Sequence, residues 1–206
     1  MGDMKILSVN AGRVAPLFVG DGKHHREPVL SGIRKSPVST LSDPKPVSVT
    51  SLGLAGDEQA DGRVHGGRFK AVCAYPFEHY SVWQTIRAQA LGREEEPLPH
   101  GFFGENLTLS GLDESQVWAG DVLRIGDVAL RVVCPRQPCF KFNARMGFGH
   151  AAKMMVQSGY TGFYLEVLKP GCLRAGDLIT LIAGDRLIRI DEMNHRLTNG
   201  KQYEMP

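Results

Sequence analysis

The stretch Val122-Leu123-Arg124-Ile125-Gly126-Asp127-Val128-Ala129-Leu130-Arg131-Val132-Val133 reads as two apolar runs joined through Gly126-Asp127. Branched side chains are stiff at χ1 and favour extended backbone. A two-residue loop beginning with glycine is the tight connection an antiparallel hairpin uses. Working outward, further short apolar runs fall at 5–10, 46–52, 70–75, 106–110, 162–168 and 178–182. The 24 glycines and 12 prolines lie largely between them, as turns require. The phrases Ala119-Gly120-Asp121-Val122-Leu123 and Ala175-Gly176-Asp177-Leu178-Ile179 echo one another, each a tight turn feeding a strand. Two copies do not make a repeat architecture.

Helical signals are fewer. Pro76 can open a helix whose Phe77, Tyr80, Trp83 and Ile86 share a face, and 150–158 carries Met154, Met155 and Val156 before the stop at Ser158-Gly159. Many short strands and two or three helices predict a mainly β, α+β fold: a largely antiparallel β-barrel with peripheral helices. The barrel takes residues 1–183. A polar tail follows over 184–206, where Asp191 can cap a short helix carrying Met193 and Leu197.

Composition narrows the function classes. The chain has 206 residues, 42% hydrophobic and 22% charged, enough for one domain with its own core. A net charge of +2 gives no bulk argument for nucleic acid or a membrane surface. No apolar run approaches the ~20 residues of a spanning helix. The opening residues read as a strand rather than an export signal, which predicts a cytoplasmic protein with reduced thiols.

The question becomes which thiol is reactive. Cys73 sits in the apolar run Ala71-Val72-Cys73-Ala74-Tyr75 and reads as core; Cys134 ends the hairpin strand; Cys172 follows Pro170-Gly171 in a turn. Cys139 differs, because Pro135-Arg136-Gln137-Pro138-Cys139-Phe140-Lys141 holds it between two prolines' constraint and two cations. Cations favour the thiolate, which attacks electrophiles or binds metals, and fixed φ values hold it at low entropic cost. No Cys-x-x-Cys or Cys/His pair completes a tetrahedral zinc site.

Three other segments carry polar groups beside glycines. Gly53-Leu54-Ala55-Gly56-Asp57-Glu58-Gln59-Ala60-Asp61 runs on to Val64-His65-Gly66-Gly67, where backbone amides can approach an anion and His65 can donate. Read alone, the segment is better taken as a turn-rich loop in which Asp57 caps backbone groups. Glu105 and Asn106 follow Gly104 and present an acceptor and an amide. Lys35 and Ser36 form a possible phosphate contact.

In this order the segments resemble the MOSC domain, the molybdenum cofactor sulfurase C-terminal domain, in its stand-alone YiiM-like form. The resemblance runs through residues 53–61, 64–67, 74–80, 103–108 and 135–141, then Thr161-Gly162-Phe163-Tyr164 and Ala175-Gly176-Asp177, covering about 4–183. It implies the MOSC-type barrel and the molybdenum cofactor (Mo-molybdopterin), with no pyridoxal phosphate. It implies that Cys139 ligates the metal, a role that suits a soft thiolate. It makes Lys35, His65, Asn106, Arg136 and Lys141 candidates for holding pterin and phosphate, beside Asp57, Gly66, Gly67, Gly104 and Glu105. Relatives of this kind reduce small N-hydroxylated substrates, of hydroxylaminopurine or amidoxime type, with electrons from a separate flavin or iron–sulfur protein. His65, Glu105 and Asp57 are the candidate acids for the leaving oxygen. Such relatives also carry more helical sequence after the barrel than 187–206 provides. Two other readings stay open: a cofactor carrier or sulfur-handling module without turnover, and a thiol enzyme in which Cys139 is the nucleophile and His65 its base.

Overall fold

A computed structural model describes residues 3–19, 28–60 and 66–200. The hairpin that opens the sequence argument forms with the expected register: β9 (Val122–Ile125) pairs antiparallel with β10 (Val128–Pro135), Ile125 facing Val128 across Gly126-Asp127. In chain order the elements before it are β1 (Lys5–Ala11), β2 (Ala15–Leu17), β3 (Val29–Ser31), β4 (Ser36–Thr40), β5 (Val47–Thr50), β6 (Gly53–Leu54), β7 (Val72–Pro76), α1 (Tyr80–Leu91) and β8 (Leu107–Ser110). After it come α2 (Phe140–Met146), α3 (Ala151–Ser158), β11 (Phe163–Lys169), β12 (Gly171–Leu173), β13 (Thr180–Ile182) and α4 (Ile190–Thr198).

Eight strands form one sheet in the order β13-β9-β10-β11-β7-β8-β1-β4, and within it only β7–β8 is parallel. The sheet curls until β1 meets the residues before β13: Ile6 donates to the Asp177 carbonyl at 3.0 Å and Ile179 to that of Met4 at 2.8 Å. The enclosed side is apolar, packed by Ile6, Val9, Val72, Ala74, Leu107, Leu109, Leu123, Leu130, Phe163 and Leu165. The expected strand 46–52 is present as β5, but it joins β6 and β12 in a small separate sheet.

Several strands are buried on both faces. In β7 all five residues are buried: Val72 and Ala74 face the barrel interior, while Tyr75 enters a second, aromatic core. That core gathers Tyr80, Trp83, Phe102, Phe103, Phe142, Met146 and Met155 from α1, the loop before β8, α2 and α3. It clamps the helices to the outside of the barrel wall.

Two local expectations need correction. Phe77 does not share the buried face of α1; β7 runs through Pro76, Phe77 falls in a short 3-10 turn, and its side chain is 43% exposed. Asp191 does not cap α4, whose cap position is Arg189; the aspartate lies in the first turn and pairs with Arg189 at 3.0 Å. The segment after 183 is also packed, since Ile190 is fully buried in the barrel core and Met193 is 2% exposed. Among the described residues no helix is long and apolar enough to cross a membrane.

Candidate functional site

The outward faces of β7, β11 and β10 form the floor of a cleft. Cross-strand register sets Tyr164 of β11 opposite both Cys73 of β7 and Cys134 of β10. Directly opposed side chains lie about 5 Å apart at their β-carbons, so thiol, phenol and thiol form one row. The register slips between Val132 and Cys134, and this bulge is what aligns Cys134 with Tyr164. Above the row an open cleft is lined by residues from the 31–35 turn, the 57–60 loop, Lys70, Gly104, Asn106, 136–139, Lys141 and Phe142.

Cys139 reaches this cleft because both ends of its segment are pinned. At the near end the Arg136 amide donates to the Gly162 carbonyl at 3.0 Å, keeping the chain beside β11 after β10 ends. Gly162 itself has φ +68°, and a β-carbon there would stand 2.4 Å from the Ala74 carbonyl oxygen, so only glycine allows this close approach. At the far end the Cys139 carbonyl accepts from Phe142 at 2.8 Å, starting α2, whose Phe142 and Met146 are fully buried in the aromatic core. The half-buried thiol is therefore held on a fixed backbone.

Arg136 is the most unusual group here. It is only 7% exposed, its guanidinium carbon lies 5.7 Å from the centre of the Phe142 ring, and its Nη1 is buried with no hydrogen-bond partner. Among the described residues no carboxylate lies within ion-pair distance of it. A buried guanidinium without an anion is costly, and its shape suits an oxyanion or other anionic ligand.

Asp57 organises the opposite wall. Its Oδ1 accepts from the Gly12 amide at 2.9 Å and from Lys35, and its Oδ2 accepts from Asn106 at 2.8 Å. The Lys35 and Asp57 side chains are 7% and 5% exposed. Asn106 is equally committed: its Oδ1 accepts from the Cys73 amide at 3.0 Å and its Nδ2 also donates to the Asn10 carbonyl at 3.3 Å. Both line the cleft, but their polar atoms serve the protein.

The remaining candidates divide. Lys141 lines the cleft and donates to the Leu30 carbonyl at 2.9 Å, and among the described residues no carboxylate pairs with it. Gly104 lines it too, with φ +87° and Ile33 packed where a β-carbon would go. Glu105, expected to face the ligand, is fully buried behind that wall, with Oε1 accepting from Tyr80, from the Gly101 amide at 2.8 Å and from Thr108 at 3.0 Å. It braces the aromatic core instead. The Gly67 amide is taken by Gln59 at 2.9 Å, and a β-carbon on Gly66 would stand 2.2 Å from the same Gln59 Oε1. These glycines make room for Gln59, which lines the cleft. His65 lies outside the described residues. Sequence reading gave no role to Lys70, Tyr164 or the cleft position of Cys73, because β7 is buried along its whole length and β11 along most of it, so neither shows an alternating pattern.

Among the described residues, four cations line the cleft (Lys35, Lys70, Arg136, Lys141) against two carboxylates, Asp57 and Glu58. The arrangement can therefore hold an anionic ligand of mixed polar and flat character, with a thiol at its edge. Cys73 is not that thiol, because burial pushes its pKa up to about 11. At pH 8 roughly one molecule in a thousand would carry the thiolate. Iodoacetamide at pH 8 is thus expected to label exposed Cys172 in the native protein and spare Cys73. Peptide mass spectrometry checks this, and equal labelling of both would show that β7 opens readily.

Comparison with known proteins agrees with this architecture. Residues 61–180 match the MOSC domain family model. The chain is 37% identical over 190 residues to YflK of Bacillus subtilis, covering 92% of this chain and 78% of that one. Over 150 residues it is 36% identical to YiiM of Escherichia coli, covering 73% and 65% of the two chains. A protein named reductase from Gibberella moniliformis is 33% identical over 182 residues, 86% of this chain and 29% of that longer one. The crystal structure of YiiM from Geobacillus stearothermophilus superposes with a TM-score of 0.71 at 32% identity, covering 96% and 85%.

Proposed function

The chain belongs to the MOSC domain family, and from that premise we propose that it is a molybdenum-cofactor oxidoreductase reducing N-hydroxylated compounds. The observation that carries the reading is the buried, unpaired Arg136 guanidinium on the segment that presents Cys139. The donor set fits the cofactor: a half-buried thiol for a soft metal, and cations beside it for dithiolene and phosphate. The relative named reductase supports the reaction class.

In this reading Cys139 holds the metal, and Arg136 and Lys141 bind the anionic portion. Lys35 stays fixed on Asp57, which neutralises it, and the pair holds the opposite wall in place. When bound, the cofactor supplies oxygen-atom acceptance and two-electron redox cycling. The balanced reaction is R–NHOH + 2 e⁻ + 2 H⁺ → R–NH₂ + H₂O, the electrons coming from a separate flavin or iron–sulfur protein. The protein's share is orientation, charge compensation and restricted access of water.

The test is metal and pterin analysis of protein made in a cofactor-competent host, with viologen-driven reduction of 6-hydroxylaminopurine. Molybdenum, pterin and turnover together are expected. Full activity in protein from a host unable to make the cofactor would overturn the proposal, and loaded protein without turnover would favour a carrier. Arg136→Met sharpens it. Removing a buried unpaired charge should leave the melting temperature unchanged or higher. Losing its charge-assisted hydrogen bonds should lower retained molybdenum by about tenfold or more. A variant that melts early yet keeps its metal would assign Arg136 to folding.

A further inference from the structure

Tyr164 is the phenol on the floor of the cleft. Its register neighbours Cys73 and Cys134 fix its place on the cleft floor, and the Lys70 ammonium lies 5.7 Å from its ring centre. The residue is 9% exposed and lines the cleft, yet among the described residues its hydroxyl makes no hydrogen bond. Of the other acid and hydroxyl groups of the lining, Asp57 accepts from three donors, Glu58 Oε2 accepts from the Val14 amide at 2.8 Å, and Ser31 Oγ accepts from the Ile33 amide at 3.2 Å. Tyr164 and Cys139 line the same cleft. A phenol with an ordinary pKa of about 10 is protonated at neutral pH, so its hydroxyl is a donor and not a base.

We propose that the Tyr164 hydroxyl donates a hydrogen bond to the oxygen of an N–O substrate bound beside Cys139, and so selects hydroxylated nitrogen compounds over their reduced counterparts. This rests on the substrate class proposed above. A site built to hydrogen-bond a polar atom discriminates against the analogue lacking it, because the donor is then left unpaired. Product release follows from the same contact: once the oxygen leaves as water, the bond that favoured the substrate is gone.

The test compares 6-hydroxylaminopurine with adenine, which lacks only the oxygen, by titration calorimetry on oxidised holoprotein with no reductant present. Wild type is expected to prefer the hydroxylated base. Tyr164→Phe, which keeps the ring under Lys70, should weaken 6-hydroxylaminopurine binding by about five- to tenfold and leave adenine affinity and molybdenum content unchanged. Unchanged affinity for 6-hydroxylaminopurine, or an equal loss for both bases, overturns the assignment, as does a wild type that binds neither. Since no turnover is read, preferential binding without reduction would sustain Tyr164 while defeating the proposed reductase activity.

Discussion

Cys139→Ser is expected to abolish N–O reduction and strip most of the molybdenum, while the purified protein keeps the fold of the wild type. Changes to groups that merely orient a metal ligand cost about 10–100-fold in affinity or activity, so replacing the ligand itself should exceed about 100-fold. Serine is nearly isosteric, but its hydroxyl is a hard, weakly acidic donor and a poor match for a site otherwise made for a soft thiolate. The backbone should not respond. The Cys139 carbonyl, not its side chain, accepts from Phe142, and α2 is anchored by Phe142 and Met146 in the aromatic core. Metal analysis and viologen-driven turnover read the two effects separately. If the variant keeps stoichiometric molybdenum but loses activity, Cys139 acts as something other than a ligand. If both survive, the reading of the cleft is wrong at its centre.

Asp57→Ala carries the largest expected effect on stability. It would leave the Lys35 ammonium 7% exposed and without its carboxylate, and would take an acceptor from both the Gly12 amide and Asn106. Breaking a buried pair from one side typically costs about 3–5 kcal/mol, because the stranded charge remains desolvated. For a chain of this size that corresponds to a fall in melting temperature of roughly 6–20 °C. Adding Lys35→Met to the same chain should recover much of the loss, since the stranded charge goes with it. Calorimetry of the wild type, both single variants and the pair gives the coupling. A loss below about 1 kcal/mol would mean that Lys35 swings out through the cleft into water, where a broken pair costs little.

Asp57 also shows where sequence reading stops. It stood in a glycine-rich loop that, read alone, pointed to a backbone cap before a ligand contact. In the fold it caps the Gly12 amide and anchors Lys35 from 22 positions away and Asn106 from 49. Nothing local encodes those partners. Glu105 and Asn106 form one sequence unit, yet one is sealed behind the wall and the other lines the cleft, because successive residues entering a strand point to opposite faces. The helix after Cys139 could have been found from Phe142 and Met146, four apart on one face. At seven residues it was too short to stand out. The strands β2, β3, β6 and β12 span two or three residues each and owe their shape to their neighbours rather than to any pattern of their own.

The sequence by itself determined the antiparallel β architecture, through the Gly126-Asp127 hairpin and the short branched runs around it. It also singled out Cys139, through the prolines and cations of its own segment. Both are short-range properties of neighbouring residues. Only the tertiary structure decided which polar groups face the cleft and which are spent holding it open. Cys73 and Tyr164 sit in runs that read as core because β7 is buried on both faces and β11 along most of its length, so apolar character there carries no information about side. Strand register, a long-range property, turned them outward and set the Tyr164 phenol in a row between two thiols.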